Sequence, residues 1–306
     1  MKLLRWGWSE YEQADLPGLP EEVETIAMAG PNAPLEEADV LVVPSTVRVD
    51  RAAAARLRRC RLVITTTSGF DHVDLEALGA RRIACTRLPL ARRDAVVETT
   101  LGMMLSLTRR LGRFQQAGLD GRWERKNLAD YGATLLGTVG VVGVGVIGSQ
   151  MAKVLEAMGA RVLRCDPRLP AGVALEDLLD ESDVVTLHCE LTSTNRGMIG
   201  KDEIQRLRRG AVLVNTARGA LLDVEAAVAA VRARHLAGVG LDVFPEEPAD
   251  LGRYAEPRIL VTPHAAGWHP ALGAKIVEGI ATALRALLAG SEIPYRVIPT
   301  ELSFQR

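Results

Sequence analysis

Residues 139–148 constrain this 306-residue chain more than any others. Val139–Val144 is an unbroken apolar run, the pattern of a strand buried on both faces. It leads directly into Gly143-Val144-Gly145-Val146-Ile147-Gly148, and a helical pattern begins at Ser149. Strand, glycine turn and helix in that order form the phosphate-binding corner of a dinucleotide fold. Gly143 permits the tight turn, Gly145 lets the backbone approach a pyrophosphate, and Gly148 lets the helix pack against the strand. The helix N-terminus offers N–H groups and the positive end of its dipole to the phosphates. The next apolar run, Val162–Cys165, ends at Asp166, 18 residues beyond Gly148. A carboxylate there accepts from both hydroxyls of an adenosine ribose and repels a 2′-phosphate. That favours NAD over NADP, with Arg168 partly offsetting the repulsion. The same geometry also serves S-adenosylmethionine-binding methyltransferases, which compete for this reading.

Runs of the same kind recur at Val40–Val43, Leu62–Thr66, Val184–His188, Val212–Asn215, Val239–Val243 and Ile259–Val261. Between them lie helical patterns such as Ser149–Met158, Asp223–Ala233 and Lys275–Leu288. The alternation predicts doubly wound parallel α/β sheets. It occurs twice, from the start to about Thr86 and from about Leu136 to Val261, with a long helical stretch over Asp94–Arg113 between. The second set has enough strands for a whole sheet, so the C-terminal stretch is expected to return to the first. The architecture expected is two α/β domains with a ligand cleft between them. One comprises 1–97 and 268–306; the other, the dinucleotide domain, comprises 98–267. At about 150 residues per domain the length agrees.

Composition removes other classes. The net charge is −1, so no global basic field exists to hold nucleic acid or an anionic membrane. No apolar run approaches the roughly 18 residues of a membrane span. The first residues, MKLLRWGWSE, carry charge inside their apolar stretch, unlike a secretory signal. Cys60, Cys85, Cys165 and Cys189 are far apart with no CxxC pair. A reducing, cytoplasmic setting is expected, and no metal site.

Three segments close the later strands: Asn215-Thr216-Ala217-Arg218-Gly219, Leu241-Asp242-Val243-Phe244-Pro245-Glu246-Glu247-Pro248 and Thr262-Pro263-His264-Ala265-Ala266-Gly267. Open α/β sheets bind ligands at the carboxyl ends of their strands, so an arginine, an acid and a histidine are expected at one edge. Arg218 is suited to hold a carboxylate in two hydrogen bonds and to polarise a neighbouring carbonyl. His264 is suited to give or take a proton near neutrality. Glu247 beside it would orient the ring and favour its charged form. A reduction needs His264 protonated and an oxidation needs it neutral. Beside a dinucleotide site, these residues suit reduction of a carbonyl next to a carboxylate, or the reverse oxidation. Asp71 or Asp74 is expected to cap a helix beside His72. His188 is expected to be a buried, hydrogen-bonded histidine.

In order along the chain, SGFDHVDLEAL, the Pro89 region, VVETTLGMMLSLTRRL, GVVGVGVIG, CDPR, SDVVTLHCELT, GAVLVNTARGALLD, GVGLDVFPEEP and TPHAAG resemble the D-isomer-specific 2-hydroxyacid dehydrogenases. That family includes phosphoglycerate, D-lactate and glyoxylate/hydroxypyruvate enzymes. The resemblance runs from about Thr65 to about Ala289. It implies a flavodoxin-like substrate domain, an NAD-binding Rossmann domain and a homodimer formed through the latter. It implies that Arg218 binds substrate, that His264 exchanges the proton and that Glu247 is its partner. It implies that Val146 and Ile147 lie on the pyrophosphate and Asp166 on the ribose. Cys189, Thr216, Ala217, Asp242 and Gly267 would line the cofactor along with Arg218 and His264. Ser68 and Gly69 would take the substrate carboxylate on their N–H groups. Two departures stand out. The family's Asn-x-Pro-Gly-x-Asn is Arg87-Leu88-Pro89-Leu90-Ala91-Arg92 here, and its His-x-Pro is His188-Cys189-Glu190. The arginines Arg87, Arg92 and Arg93 raise a phosphorylated hydroxy acid as an alternative substrate. An NAD(H)-sensing protein resembling the C-terminal-binding corepressors is the alternative that is not an enzyme.

Overall fold

A computed structural model describes residues 1–9, 12, 16–124 and 134–298. Residues 299–306, the end of the expected C-terminal segment, lie outside the described residues. The strands in chain order are β1 (Lys2–Trp6), β2 (Glu24–Met28), β3 (Val40–Val43), β4 (Leu62–Thr65), β5 (Ala84–Arg87), β6 (Thr138–Val142), β7 (Arg161–Cys165), β8 (Val184–Leu187), β9 (Val212–Asn215), β10 (Gly238–Leu241), β11 (Ile259–Val261) and β12 (Arg296–Val297). The helices are α1 (Arg51–Arg56), α2 (Leu75–Ala80), α3 (Leu90–Thr108), α4 (Leu111–Leu119), α5 (Val146–Ala157), α6 (Leu175–Glu181), α7 (Lys201–Arg206), α8 (Val224–Arg232) and α9 (Leu272–Ala289). The chain forms two compact units, one from Met1–Arg93 and the segment starting at Trp268, the other from Asp94–Gly267.

The first unit is a six-stranded sheet in the order β12-β5-β4-β3-β1-β2, parallel except for β12. Its first five strands thus follow the 2-1-3-4-5 order of the flavodoxin-like fold. β3 (VLVV) and β4 (LVIT) are buried along their whole length, because helices cover both faces. On one side Val40, Val42, Leu62 and Ile64 meet Leu272, Ile276, Ile280 and Leu284 of α9. On the other, Leu41, Val43 and Val63 meet Ala54 of α1 and Leu78 of α2. Each such aliphatic side chain contributes about 1.5–3 kcal/mol by leaving water. Asp50 and Asp74 cap α1 and α2, accepting from the N–H groups of Ala53 and Ala77 at 2.8 Å each. The capping expected near His72 therefore falls to Asp74.

The second unit is a six-stranded, all-parallel sheet in the order β11-β10-β9-β8-β6-β7. The strand order reverses between β6 and β8, so their carboxyl ends open onto a crevice where such sheets bind ligands. One face packs on α6, α7 and α8. The other packs on Met151, Ala152 and Leu155 of α5 and Met103, Met104 and Leu107 of α3.

The single helix expected over Asp94–Arg113 is instead two. α3 begins earlier, at Leu90, and stops at Thr108, whose Oγ1 donates back to the Met104 carbonyl at 2.8 Å. Arg110 then takes a left-handed conformation, φ +56°, which ends one helix before the next starts. β2 lies outside the expected runs because it is a mostly exposed edge strand without an apolar stretch.

Candidate active site

The glycine turn after β6 is shaped by near contacts. Gly143 has φ +87°, and a Cβ there would lie 2.4 Å from the Cys189 nitrogen. A Cβ on Gly148 would lie 1.9 Å from the Gly143 carbonyl oxygen. Nothing approaches within 4 Å of a Cβ built on Gly145, so the space over the turn is open. The N–H groups of Gly145, Val146 and Ile147, at the start of α5, donate to no other described residue. These are the orphan donors of a helix N-terminus. Asp166 faces the same turn. Its Oδ2 accepts from the Val144 N–H at 2.6 Å and its Oδ1 from the Arg168 N–H at 2.9 Å. Each carboxylate oxygen has a second lone pair, so bracing the turn leaves capacity for ribose hydroxyls. Open donors, open space and an acid fit the pyrophosphate and ribose of a dinucleotide.

The segment after β9 is folded around a buried amide. Asn215 Nδ2 donates to the Arg218 carbonyl at 2.9 Å, and its Oδ1 accepts from the Ala217 N–H at 3.0 Å. Thr216 Oγ1 lies 2.8 Å from Thr100 Oγ1. Thr100 itself donates to the Val96 carbonyl, so Thr216 is the donor of that pair. A Cβ on Gly219 would lie 2.0 Å from the Phe244 carbonyl carbon. Only glycine permits this approach, which sets the Arg218 segment against the one that carries Glu247.

The segments after β10 and β11 are joined by Asp242, which is fully buried. Its Oδ1 accepts from Thr262 Oγ1 at 2.6 Å, the Ala265 N–H at 2.8 Å and the Ala266 N–H at 3.1 Å. The His264 N–H donates to the Asp242 carbonyl at 2.7 Å. This clasp holds His264 at φ +54°, a left-handed conformation for a non-glycine residue. His264 Nδ1 then lies 2.6 Å from Glu247 Oε2, while Glu247 Oε1 accepts from the Phe244 N–H at 2.9 Å. Burial pushes the Glu247 carboxyl up, but the hydrogen bonds from His264 and Phe244 and the nearby charges of His264 and Arg218 outweigh it. The net effect holds Glu247 below the ordinary carboxylate range. Arg218, Glu247 and His264 therefore form one charged cluster on the second unit. The clasp made by Asp242, the amide of Asn215 and the close approach at Gly219 were not foreseen as supports. Their signal in the sequence was only that each lies within a strand-end segment.

Ser68 and Gly69 belong to the first unit, in the loop after β4. Arg87 Nη1 donates to the Ser68 carbonyl at 3.1 Å, and its guanidinium lies 5.5 Å from the centre of the Phe70 ring. Arg92 donates to the Thr66 carbonyl. Thr66 Oγ1 donates at 2.6 Å to Glu12, which also pairs with Arg5 at 2.9 Å in a fully buried ion pair. The N–H groups of Ser68 and Gly69 donate to no other described residue, and Ser68 Oγ is buried without a partner. The two arginines that replace the family's asparagines thus hold the loop's carbonyls while its N–H groups stay open.

Cys189 is buried against the glycine turn, and desolvation pushes its thiol up to about 12. Cys60, Cys85 and Cys165 are likewise free and buried. His188 Nε2 lies 3.1 Å from Thr186 Oγ1, and burial pushes the ring down to about 4. It is hydrogen-bonded as expected, though by solvent exposure it is partly rather than fully buried. Among the described residues no cluster of His, Cys, Asp or Glu is arranged to hold a metal ion. No described helix is long and apolar enough to cross a membrane.

Comparison with known proteins identifies the family. Residues 101–266 match the family model for the D-isomer specific 2-hydroxyacid dehydrogenase NAD binding domain. A D-3-phosphoglycerate dehydrogenase of Methanocaldococcus jannaschii is 32% identical over 87% of this chain and 54% of its own length. A glyoxylate reductase of Aeropyrum pernix is 34% identical over 75% of this chain and 74% of its own. The crystal structure of an Aquifex aeolicus D-lactate dehydrogenase with NAD and lactic acid superposes with a TM-score of 0.78 at 26% identity, covering 94% of this chain and 96% of that one. The chain spans about half the length of the phosphoglycerate dehydrogenases it matches. Its second unit is an NAD-binding domain, and the chain belongs to the D-isomer-specific 2-hydroxyacid dehydrogenase family.

Proposed function

We propose that the chain is an NAD-dependent dehydrogenase that interconverts a small 2-keto acid and its D-2-hydroxy acid. The observation that carries this reading is the His264–Glu247 pair at 2.6 Å, with the charge of Arg218 beside it. The bound nicotinamide supplies or accepts the hydride. In the reducing direction Arg218 binds the substrate carboxylate and draws charge from its carbonyl. His264, held by Glu247, delivers a proton to the oxygen as it becomes an alkoxide. In oxidation the same ring takes the hydroxyl proton. Gly143, Gly145, Val146, Ile147 and Gly148 hold the pyrophosphate, and Asp166 the adenosine ribose. Cys189, Thr216, Ala217, Asp242 and Gly267 line the rest of the cofactor, with Arg218 and His264. On the first unit, the open N–H groups of Ser68 and Gly69 are assigned to the substrate carboxylate.

The matched relatives include D-3-phosphoglycerate dehydrogenases, so a phosphorylated hydroxy acid is the second substrate reading. The hydrogen bonds of Arg87 and Arg92 to loop carbonyls give both guanidinium groups a structural role that needs no phosphate, which favours the plain acid. We further propose a cytoplasmic homodimer. Leu111, Leu119 and Trp123 are large apolar side chains that stay exposed on the second unit, and a second copy would cover them.

The test is NADH oxidation against glyoxylate, hydroxypyruvate, pyruvate, phenylpyruvate, bulky aliphatic keto acids and a phosphorylated one. Turnover that disappears in His264→Ala while NADH still binds supports the assignment. NADH binding without turnover on any acid rejects it in favour of an NAD(H) sensor.

A further inference from the structure

Arg168 and Glu190 form an ion pair that joins two strand ends. Arg168 follows β7 and Glu190 follows β8, the two neighbours of β6 in the sheet. The pair therefore spans the crevice onto which the glycine turn opens, beside Asp166. Both partners are fixed at their backbones. The Arg168 N–H donates to Asp166 Oδ1 at 2.9 Å. The Glu190 carbonyl accepts from Nδ2 of the buried Asn195 at 2.7 Å, and Asn195 Oδ1 in turn accepts from the Thr192 N–H at 2.8 Å. Glu190 is the residue that departs from the family's His-x-Pro pattern, so this carboxylate is a property of this chain.

The position of the arginine has a chemical consequence. In dinucleotide folds an arginine near the ribose carboxylate is what accommodates the 2′-phosphate of NADP. Arg168 stands in the place for that role, two residues beyond Asp166. We infer that Glu190 is a cofactor-specificity residue, which engages the Arg168 guanidinium and so preserves the preference for NAD over NADP. With the pair formed, a 2′-phosphate at Asp166 meets two carboxylates and one guanidinium, a net charge of −1. Neutralising Glu190 brings that sum to zero and releases an arginine suited to pair with phosphate. For a dianionic phosphate in a wet, high-dielectric crevice, removing one nearby unit charge changes affinity on the order of fivefold. The released guanidinium raises the gain to about tenfold.

The test is titration of NADH and NADPH by nucleotide fluorescence on the whole chain, without substrate. The proteins are wild type, Glu190→Gln, Arg168→Ala and the double variant, with melting curves to show that each folds. The expected result is that Glu190→Gln lowers the NADPH-to-NADH ratio of Kd about tenfold, while Arg168→Ala raises it. The double variant returns near the wild-type ratio. A Glu190→Gln ratio equal to wild type overturns the inference, whether both affinities hold or both fall together. A double variant that keeps the whole gain also overturns it, because the effect then needs no arginine.

Discussion

Glu247→Gln changes one atom in the proposed proton-transfer pair, and its cost follows from the hydrogen bonds. Glu247 accepts two N–H donors, Phe244 at one oxygen and His264 Nδ1 at the other. Glutamine has one acceptor oxygen and one amide nitrogen that donates. If its oxygen faces Phe244, its NH2 faces Nδ1 and favours the tautomer with the proton on Nε2. Charged His264 then has a donor pointing at its own N–H. If its oxygen faces His264 instead, the buried Phe244 N–H loses its acceptor. A charge-assisted hydrogen bond is worth about 1.5–3 kcal/mol. The side chains of His264 and Glu247 are 49% and 35% exposed, so screening puts the loss at the lower end. About 1.5–2 kcal/mol corresponds to a 10- to 30-fold fall in kcat/KM for the keto acid. The assay is steady-state NADH oxidation at pH 7, paired with an NADH titration in which Kd moves less than about twofold. A variant within threefold of wild type in kcat/KM refutes the proton-transfer role of the pair. Parallel loss of NADH binding refutes it equally, because the effect then lies in the fold of the segment.

Two further outcomes follow from the cofactor end of the second unit. Gly148→Ala places a Cβ 1.9 Å from the Gly143 carbonyl oxygen, so α5 must shift; overpacking of this kind costs about 1–3 kcal/mol. Melting temperature should fall and NADH affinity should weaken at least about tenfold, and a variant equal to wild type in both rejects the close-packing argument. His188 is held near 4 in the folded chain against about 6.5 unfolded. Its unfolded form therefore binds the extra proton between those values, and stability falls as pH drops from about 6.5 to about 4, then levels. The linked loss is about 3 kcal/mol. Urea unfolding at pH 7 and pH 4.5 should show a smaller pH difference in His188→Asn than in wild type. Equal differences would place the ring in water.

The parts of the site that were readable are those that sequence encodes locally. Gly143 and Gly148 announce themselves because their constraints act within one strand, turn and helix. Asp166 announces itself by its spacing from them. Arg218, Glu247 and His264 were readable because each ends a strand of recognisable pattern and carries a reactive group. Supports that depend on distant partners were not readable. The amide of Asn215 bonds within its own turn, yet its effect on Arg218 needs the contact of Gly219 with Phe244, 25 residues further on. Glu190 looked only like a missing proline until the fold put β7 and β8 on either side of β6 and brought it to Arg168. The break in the long helix has the same origin. Nothing about Arg110 as a residue type predicts φ +56°, since arginine is a good helix former.

The acids along this edge show why chemistry is assigned by surroundings rather than by residue type. Asp242 and Glu247 both lie close to His264 in the chain's folded course, yet only one suits a proton relay. Asp242 accepts from Thr262, Ala265 and Ala266 and is fully buried. Its oxygens are taken up by the clasp that holds His264 in its left-handed conformation, so it acts as a fixed brace. Glu247 accepts a single backbone N–H and keeps its second oxygen for the imidazole. It is partly exposed and, with His264 charged beside it, held below the ordinary carboxylate range, so it is ionised while the ring holds its proton. A charged carboxylate beside the imidazole orients the ring and favours its protonated form, which is what the proposed reduction needs from the partner of its histidine.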